Sequence, residues 1–510
     1  MKKIIVILLI IYSVSLSAKK NPYPKINNIN EHKAGDFITA QGKSKNKYYK
    51  EYPKKIETTY GTIVVKENRS KPDSRFITLP VKKLHSLSEN PKEPIFLLYG
   101  GPGSSNLREA PFLWLLEEHD IVMVGYRGVD GSVSLQSHEI PEALASEGSP
   151  LGQENIKRLT EASLRAYDRY KSEGIDIDAY NMIEVIDDFE DARKALGYNK
   201  INLWGFSYGT RVSYLFGLRY PESINRTLIE GVNPPGHFVW EPADIDNLYA
   251  YLGEQWKKYP ECLAKSPDIV KTIENVLASL PRKYKKITIN PDKVKMMLFM
   301  MAYTRTGIVQ TFDAFVAAEQ GDYSGIAFLS MAFDQLPNMP GMYWGDNFAK
   351  AFSADFDPNR DYIKDMDPEG SLIGSPMSKL FSIGTFGGWP IKSIPEEYKK
   401  MQTSNVPTLM ISGSIDISTP PQYSTELLQY LPNGQQIVLI DRGHQDTGAL
   451  QKDAYHKLVL SFFSNGSVDS DFTDVPIDFT PPKQTFQKMG NLFYKLDRMR
   501  LTGLVMKMMQ

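Results

Sequence analysis

The sequence predicts an α/β protein with a doubly wound, mostly parallel sheet and an inserted helical domain. Short apolar segments that end in glycine-containing loops alternate with helical patterns in the first half of the chain and again near its end, which is typical of parallel sheets. Between these parts, residues 236–395 carry helical periodicity with no clear strand. At about 150 residues per domain, the 510 residues allow one large domain with such an insertion.

The composition is that of a soluble, folded protein. Hydrophobic residues make up 42% and charged residues 23%, which excludes a disordered chain and a polytopic membrane protein. Lys plus Arg number 59 against 60 Asp plus Glu, so no overall charge attracts nucleic acid, and we predict no nucleic-acid partner. The single cysteine, Cys262, excludes an intramolecular disulfide and a cysteine-based zinc site, and we interpret it as a buried hydrophobic residue.

The first eighteen residues have the three-part pattern of a secretory signal. A basic start at 1–3 is followed by an apolar run at 4–14 and by small residues at 15–18. The apolar run is too short to span a membrane comfortably. We therefore predict a secreted or periplasmic mature protein, with an uncleaved N-terminal anchor as the alternative.

The pattern along the chain gives the domain boundaries. Residues 19–55 are polar, show no sustained period and are interpreted as an extension. The predicted segments are a signal peptide at 1–18, an N-terminal extension at 19–55, the first part of the sheet domain at 56–235, a helical cap at 236–395, the second part of the sheet domain at 396–466 and a basic amphipathic tail at 467–510.

Individual elements follow from the same periodicities. Strands are predicted at 61–65, 75–81, 94–99, 121–124, 201–204, 408–412 and 436–440. Helices are predicted at 181–196, from 209 to 219, at 422–430 and 453–463, and in the cap at 246–258, 268–280 and 292–317.

The first chemical candidate is the pattern Gly205-Phe206-Ser207-Tyr208-Gly209. It lies between a predicted strand and a predicted helix, and such a turn presents a serine Oγ at the top of a sheet. Small residues are needed on both sides of the serine because the turn is tight. The pattern by itself is a weak signal, and its position between a strand and a helix is what favours Ser207 as a nucleophile.

A serine nucleophile needs a histidine and a carboxylate. His444 is the histidine that lies in a glycine-containing loop after a late buried strand, downstream of Ser207. Asp416 follows the preceding strand, which gives the chain order Ser, Asp, His. Asp441 and Asp446 are too close to the histidine to come from a separate strand, and we interpret them as solvated loop charges.

Attack by a serine creates an oxyanion, which requires preorganised N–H donors. The sequence offers two backbone sources: Tyr208, the residue after the nucleophile, and the loop Gly100-Gly101-Pro102-Gly103. The alternative for that loop is a tight turn without a ligand. The chain lacks the patterns of phosphate loops, dinucleotide sites and zinc proteases.

These motifs resemble the α/β-hydrolase serine aminopeptidases of the prolyl iminopeptidase and tripeptidyl aminopeptidase type. The resemblance covers residues 57–464 and is closer to the secreted tripeptidyl branch. The motifs that carry it are Gly100-Gly101-Pro102-Gly103, Arg127-Gly128, Gly205-x-Ser207-Tyr208-Gly209-Thr210, Ser414-x-Asp416-x-x-Thr419-Pro420 and Gly443-His444, together with the segments at 61–65, 67–69, 321–323 and 389–390.

The resemblance implies a triad of Ser207, Asp416 and His444 and an oxyanion hole from Gly101 and Tyr208. It also implies a cap that restricts access to short peptides with free N-termini, and activity without a metal ion or organic cofactor. Such an enzyme must bind an α-ammonium group, for which cap carboxylates are natural partners. The candidates, none of which the sequence favours, are Glu230, Glu241, Asp313, Glu319 and Asp346.

The tail is basic and amphipathic. Residues 483–510 contain six basic side chains and one acidic side chain among Phe, Leu, Val and Met. Such a helix contacts an anionic membrane surface, docks on a partner, or packs its apolar side on the parent domain, and we favour the last.

The sequence therefore predicts a secreted serine aminopeptidase that releases proline or short di- and tripeptides from the N-termini of short peptides. A carboxylesterase with the same triad is the alternative. A noncatalytic binding protein is less favoured, because all three triad candidates are present in the expected order.

Overall fold

The computed structural model describes residues 21–46, 49–108, 112–145, 148–334, 341–386, 389–390, 392–480 and 484–498 of the protein. The predicted signal peptide and the last twelve residues of the tail lie outside the described residues. Within the described ranges, no helix combines the length and apolar character needed to cross a membrane.

In these ranges, nine strands form one sheet in the order β1-β2-β3-β5-β4-β6-β7-β10-β11. The first three strands and β5 pair antiparallel, and β5, β4, β6, β7, β10 and β11 run parallel. The strands are β1 (Phe37–Lys45), β2 (Lys55–Lys66), β3 (Phe76–Leu84), β4 (Lys92–Leu98), β5 (His119–Val124), β6 (Ile201–Phe206), β7 (Ile224–Glu230), β8 (Arg282–Tyr284), β9 (Ile287–Ile289), β10 (Thr408–Gly413) and β11 (Gly434–Leu439).

The α-helices divide between the sheet domain and the cap. In chain order they are α1 (Glu139–Leu144), α2 (Gln153–Ser172), α3 (Met182–Ala195), α4 (Tyr208–Arg219), α5 (Pro242–Trp256), α6 (Pro260–Leu263), α7 (Ile269–Ala278), α8 (Pro291–Met301), α9 (Arg305–Glu319), α10 (Ser324–Phe333), α11 (Trp344–Asp355), α12 (Tyr362–Asp365), α13 (Pro376–Phe386), α14 (Pro421–Leu428), α15 (Lys452–Asn465) and α16 (Thr485–Arg498).

The central parallel strands are buried on both faces. In β4, Phe96 packs in a cluster with residues of α3 and α4, whereas Leu97 packs in a separate cluster with residues of α15. Successive side chains of a strand point to opposite faces, so a continuous apolar run supplies both clusters. The predicted fold class is confirmed, because helices cover both faces of a mostly parallel sheet.

Two strands of the sheet were not predicted. Residues 37–45, interpreted as part of an extension, form the edge strand β1, whose Phe37 is opposite Ile63 of β2. An edge strand needs no apolar alternation, and most of β1 is exposed or half-buried. The other strand is β7, where Asn225, Arg226 and Thr227 interrupt the apolar pattern.

The cap differs from its prediction in two places. The helix predicted at 292–317 is two helices, α8 and α9, separated at 302–304. The Thr304 hydroxyl accepts a hydrogen bond from the Gly307 N–H at 3.0 Å and caps α9. The strands β8 and β9 form a hairpin within the cap, and three-residue strands are too short to show a period.

The described part of the tail packs on the cap. Phe479 stacks on Phe312 of α9, with ring centroids 5.6 Å apart. Farther along, Phe486 and Phe493 of α16 both contact Phe328 of α10, with centroids 5.3 and 5.8 Å away. These residues therefore pack on the parent domain, which is the alternative that the sequence analysis favoured for the tail.

We expect Gly490→Ala to lower the melting temperature. Alanine is favoured over glycine inside a helix by about 1 kcal/mol, but a Cβ at Gly490 would overlap the Ser324 carbonyl oxygen of α10. Crowding of this kind costs about 1–3 kcal/mol. Thermal denaturation of the full chain, with Leu492→Ala on the exposed face of α16 as control, measures the effect, and a variant more stable than the parent would contradict the packing.

Candidate active site

The three predicted triad residues follow three parallel strands of the sheet. Ser207 comes directly after β6, Asp416 follows β10 and His444 follows β11. In the sheet, β7 lies between β6 and β10, and β11 lies beyond β10. The carboxyl ends of parallel strands share one edge of a sheet, so all three residues lie at that edge.

Ser207 occupies a strained turn between β6 and α4. Its φ of 52° and ψ of −121° lie in a region that non-glycine residues rarely adopt. Its N–H donates to the Glu230 carbonyl oxygen at 2.9 Å. A Cβ at Gly205 would lie 2.6 Å from the Gly209 carbonyl oxygen, and one at Gly209 would overlap the Leu98 carbonyl oxygen. The two glycines flanking the serine are therefore needed for the turn to close.

The His444 ring is hydrogen-bonded to the Asp416 carboxylate. The Nδ1 atom lies 2.8 Å from Oδ2 and 3.0 Å from Oδ1. Asp416 is 3% exposed and accepts further hydrogen bonds from the N–H groups of Ser418 and Thr419, each at 2.8 Å, and from the Thr419 hydroxyl at 2.7 Å. The other groups at this carboxylate all donate to it, so the His444 Nδ1–H is assigned as a further donor and Nε2 is left as the acceptor.

The end of β7 contacts both Ser207 and His444. Glu230 accepts the Ser207 N–H, and Gly231 comes next in the chain. A Cβ at Gly231 would lie 2.9 Å from the Cε1 atom of His444. Strand β7, which the sequence did not predict, thus fixes the nucleophile turn and the histidine relative to each other.

Two residues next to the predicted triad were given no role by the sequence analysis, although Thr419 is part of a motif that carries the resemblance. Thr419 donates to Asp416, and the Ser-Thr pair two and three residues after an aspartate was a detectable signal, because it is typical of a side-chain-stabilised turn. Tyr303 of the cap stands edge-on to His444, with ring centroids 5.1 Å apart. No sequence signal identifies Tyr303, since the contact joins distant parts of the chain.

The loop that carries His444 is held by two aspartates. Asp446 accepts from the N–H groups of Gly443 at 3.0 Å and Arg305 at 2.9 Å. Asp441 is 2% exposed and accepts from the Tyr251 hydroxyl at 2.7 Å and the Ile477 N–H at 2.9 Å. The interpretation as a solvated charge is wrong for Asp441, which is buried among its donors. Asp446 is half-buried, and its two backbone N–H partners make it part of the loop's framework rather than a free surface charge.

The glycine-rich loop at 100–103 lies against Ser207, the predicted nucleophile. A Cβ at Gly100 would lie 2.6 Å from the Ser207 Cβ. Gly101 and Gly103 have φ values of 79° and 85°, which favour glycine. Tyr208 is the first residue of α4, where N–H groups have no partner within the helix. The structure thus brings the segments of both predicted oxyanion donors, Gly101 and Tyr208, next to Ser207.

The five carboxylates considered for an α-ammonium site are all engaged within the chain. Glu230 accepts from the Trp204 Nε1–H at 2.8 Å, the Thr447 hydroxyl at 2.9 Å and the Tyr455 hydroxyl, and burial raises its pKa. The partners of the others are Arg360 for Glu241, Gln487 for Asp313, Thr272 and Asn275 for Glu319, and Lys350 and Gly103 for Asp346.

The cap places aromatic rings beside the acid and the histidine. The Trp240 Nε1–H donates to the Ser418 carbonyl oxygen at 3.0 Å, and the Tyr303 hydroxyl donates to the Ser418 Oγ at 3.1 Å. Phe299 joins the two rings, with centroids 5.1 Å from Trp240 and 5.8 Å from Tyr303. This aromatic group gives the edge of the site an apolar character.

Cys262 takes no part in this site. It is 1% exposed, in α6 of the cap, and burial raises the pKa of its thiol to about 11. The thiol is therefore protonated at neutral pH, as the interpretation of a buried hydrophobic residue implied.

Two protein-family models match the chain. The family described as alpha/beta hydrolase fold matches residues 93–257, which include the glycine-rich loop and Ser207. The chain has the α/β-hydrolase fold. A second family, described as TAP-like protein, matches residues 381–474, which include Asp416 and His444.

Curated relatives of the chain include the tripeptidyl aminopeptidases of Streptomyces coelicolor and Streptomyces lividans. Each is 22% identical over 464 residues, which is 83% of this chain and 84% of the relative. Together with the two family matches, they confirm the resemblance to this family of serine hydrolases.

Solved structures similar to the chain include two bacterial enzymes. A meta-cleavage product hydrolase from Pseudomonas fluorescens IP01 is 12% identical, with 77% of this chain and 96% of that chain covered and a TM-score of 0.37. A thermophilic esterase from Thermogutta terrifontis is 13% identical, with 79% and 98% covered and a TM-score of 0.36.

We expect Thr419→Val to lower kcat by about tenfold with little change in KM, because a hydrogen bond to a charged group is worth about 1.5–3 kcal/mol. Valine keeps the side-chain shape and removes the hydroxyl that donates to Asp416. Steady-state kinetics on an activated ester measure the change. Thr425→Val on the exposed side of α14 is the control, and an unchanged kcat at position 419 would contradict a role for the Thr419 hydroxyl.

Proposed function

We propose that the protein is a serine aminopeptidase that releases N-terminal fragments from short peptides through an acyl-enzyme on Ser207. The observation that carries the proposal is the hydrogen bond between His444 Nδ1 and Asp416 at the same sheet edge as the strained Ser207 turn. The tripeptidyl aminopeptidases that match 83% of the chain support a peptide substrate.

In the acylation step, His444 Nε2 removes the proton from Ser207 Oγ as that oxygen attacks the scissile carbonyl carbon. Asp416 holds the ring in the tautomer with a proton on Nδ1 and stabilises the imidazolium that forms. The oxyanion accepts hydrogen bonds from the N–H groups of Gly101 and Tyr208. His444 then protonates the leaving amine, and the N-terminal fragment remains as an ester on Ser207.

In the deacylation step, water replaces the departed amine. His444 removes a proton from the water, which attacks the ester carbonyl carbon, and the same two N–H groups stabilise the second oxyanion. Collapse of this intermediate returns the proton to Ser207 and releases the fragment as a free carboxylic acid. Every group in this cycle belongs to the chain, apart from the substrate and the water.

We propose that the released fragments are tripeptides, because both curated relatives are named tripeptidyl aminopeptidases. The aromatic group of Trp240, Phe299 and Tyr303 beside the acid favours apolar substrate side chains. The three-part pattern at residues 1–18 supports export of the mature enzyme.

We expect Ser207→Ala to reduce hydrolysis by about 10⁴-fold or more, because the nucleophile is lost while the rest of the site remains. The measurement is turnover of unblocked tripeptidyl, prolyl and alanyl anilides and of short and long acyl esters. Ser213→Ala is the matched control. Ser213 is a buried serine of the same helix, α4, and its hydroxyl donates to the Gly209 carbonyl oxygen. Activity that survives Ser207→Ala would refute the nucleophile.

Blocking the substrate N-terminus tests whether the enzyme is an exopeptidase that requires a free α-ammonium group. Losing one partner of a buried charge pair costs about 2–5 kcal/mol, so acetylation of a tripeptidyl anilide is expected to lower kcat/KM by about a hundredfold or more. The matched pair of free and acetylated anilides is assayed with the same enzyme preparation. Equal rates for both would contradict recognition of an α-ammonium group, and turnover of esters with inert anilides would identify an esterase instead.

A further inference from the structure

One turn of the cap helix α11 is hydrogen-bonded to the glycine-rich loop beside the nucleophile. The Tyr343 N–H donates to the Gly103 carbonyl oxygen at 2.7 Å, and the Asn347 Nδ2–H donates to the Pro102 carbonyl oxygen at 2.9 Å. In return, the Gly103 N–H donates to Asp346 Oδ2 at 2.9 Å. Both backbone polar groups of Gly103 are therefore bonded to the cap.

Asp346 is held by a lysine one turn further along the helix. Lys350 Nζ lies 2.6 Å from Asp346 Oδ1 and 2.9 Å from Oδ2, and both side chains are 0% exposed. The same ammonium group donates to the Arg127 carbonyl oxygen at 2.9 Å. A buried ion pair depends on the hydrogen bonds around it, and here these run through Asp346 Oδ2, which accepts from Lys350 Nζ and from the Gly103 N–H.

The Arg127-Gly128 motif of the sheet domain positions the Asp346–Lys350 pair. The Arg127 guanidinium bonds both carboxylate oxygens of Asp188 at 2.7 Å and the Ala179 carbonyl oxygen at 2.8 Å, which fixes the backbone that Lys350 contacts. Gly128 has a φ of 82°, and a Cβ there would overlap the Asp346 carboxylate. The motif thus supplies an acceptor for Lys350 and the space that Asp346 fills.

We propose that Asp346 and Lys350 are positioning residues for the oxyanion hole. The Ser104 N–H closes a turn on the Gly101 carbonyl oxygen at 3.0 Å, so a fixed Gly103 also fixes the turn that presents the Gly101 N–H. Glycines are conformationally free, and donors stabilise an oxyanion well only when they are held in place beforehand. The inference rests on the proposed acyl-enzyme chemistry at Ser207.

The loop is confined from two sides. Ser207 lies on one side, 2.6 Å from the position of a Cβ at Gly100, and Asn347 lies on the other, with its Cβ 3.1 Å from the position of a Cβ at Gly103. The cap therefore completes the oxyanion hole as well as bordering the substrate. Any substrate that acylates Ser207, ester or peptide, is subject to the same positioning.

Two double variants separate positioning from packing. Asp346→Leu/Lys350→Met removes both charges and the acceptor for the Gly103 N–H. Asp346→Asn/Lys350→Met removes the charges but keeps an acceptor of the same shape. Asp355→Asn is the control, because Asp355 lies at the other end of α11 and forms a buried ion pair with Arg211 at 2.7 Å away from the loop.

The variants are compared by kcat and KM on an activated ester and on a free tripeptidyl anilide, with the concentration of active sites measured by titration with a fluorophosphonate. Affinity for a peptide aldehyde, whose adduct with Ser207 places an oxygen in the oxyanion hole, is measured alongside. We expect the Leu/Met double to lower kcat and aldehyde affinity in parallel by about 10–100-fold, with KM nearly unchanged. The Asn/Met double keeps the acceptor for the Gly103 N–H but loses the lysine that holds it, so it is expected to lose less activity than the Leu/Met double. Asp355→Asn is expected to remain within about threefold of the parent enzyme.

A kcat and an aldehyde affinity equal to those of the parent enzyme in the Leu/Met double would overturn the proposal, as would equal losses in both doubles. Asn347→Ala gives a second test that leaves the ion pair intact. It removes one hydrogen bond to the loop and is expected to lower kcat several-fold, and an unchanged kcat would count against the proposal. Activity that survives Ser207→Ala would instead refute the proposed function.

Discussion

The approach of the β4 backbone to the turn at Ser207 is the constraint on which the rest of the site depends. Gly209 packs directly on the Leu98 carbonyl oxygen, and Gly100 lies against the Ser207 Cβ. Side chains at these two positions would separate Ser207 from the loop at 100–103. The serine, its strained φ of 52° and the neighbouring N–H groups can therefore coexist only where glycine allows two backbones to touch.

The cap belongs to this site as much as the sheet does. Tyr303 contacts His444, Trp240 bonds the Ser418 carbonyl oxygen, and Asp346 bonds Gly103. The C-terminal segment adds to this framework, because the Ile477 N–H donates to Asp441 in the histidine loop. His444, the turn after Asp416 and the loop at 100–103 are thus each held by groups from outside their own strand. Preorganisation of an active site requires such support.

Local sequence gave a good prediction of the strands that are buried on both faces and of the turns that follow them. Predicted strands at 94–99 and 408–412 correspond to β4 and β10, because a strand covered on both faces must be apolar throughout. Polar or interrupted strands such as β1 and β7 gave no such signal. Asp441 was misinterpreted for a related reason. The local sequence does not distinguish a buried carboxylate, such as that of Asp441, from a solvated one.

The sequence by itself determined the fold class, the family resemblance and the chain order of Ser207, Asp416 and His444, because each depends on residue types at fixed local spacing. Only the tertiary structure decided which carboxylates are engaged and what holds the loop at 100–103. Asp346 lies 243 residues from Gly103 along the chain, and no local pattern encodes that hydrogen bond. It forms because folding brings the cap helix, the Arg127-Gly128 motif and the nucleophile turn to one buried place.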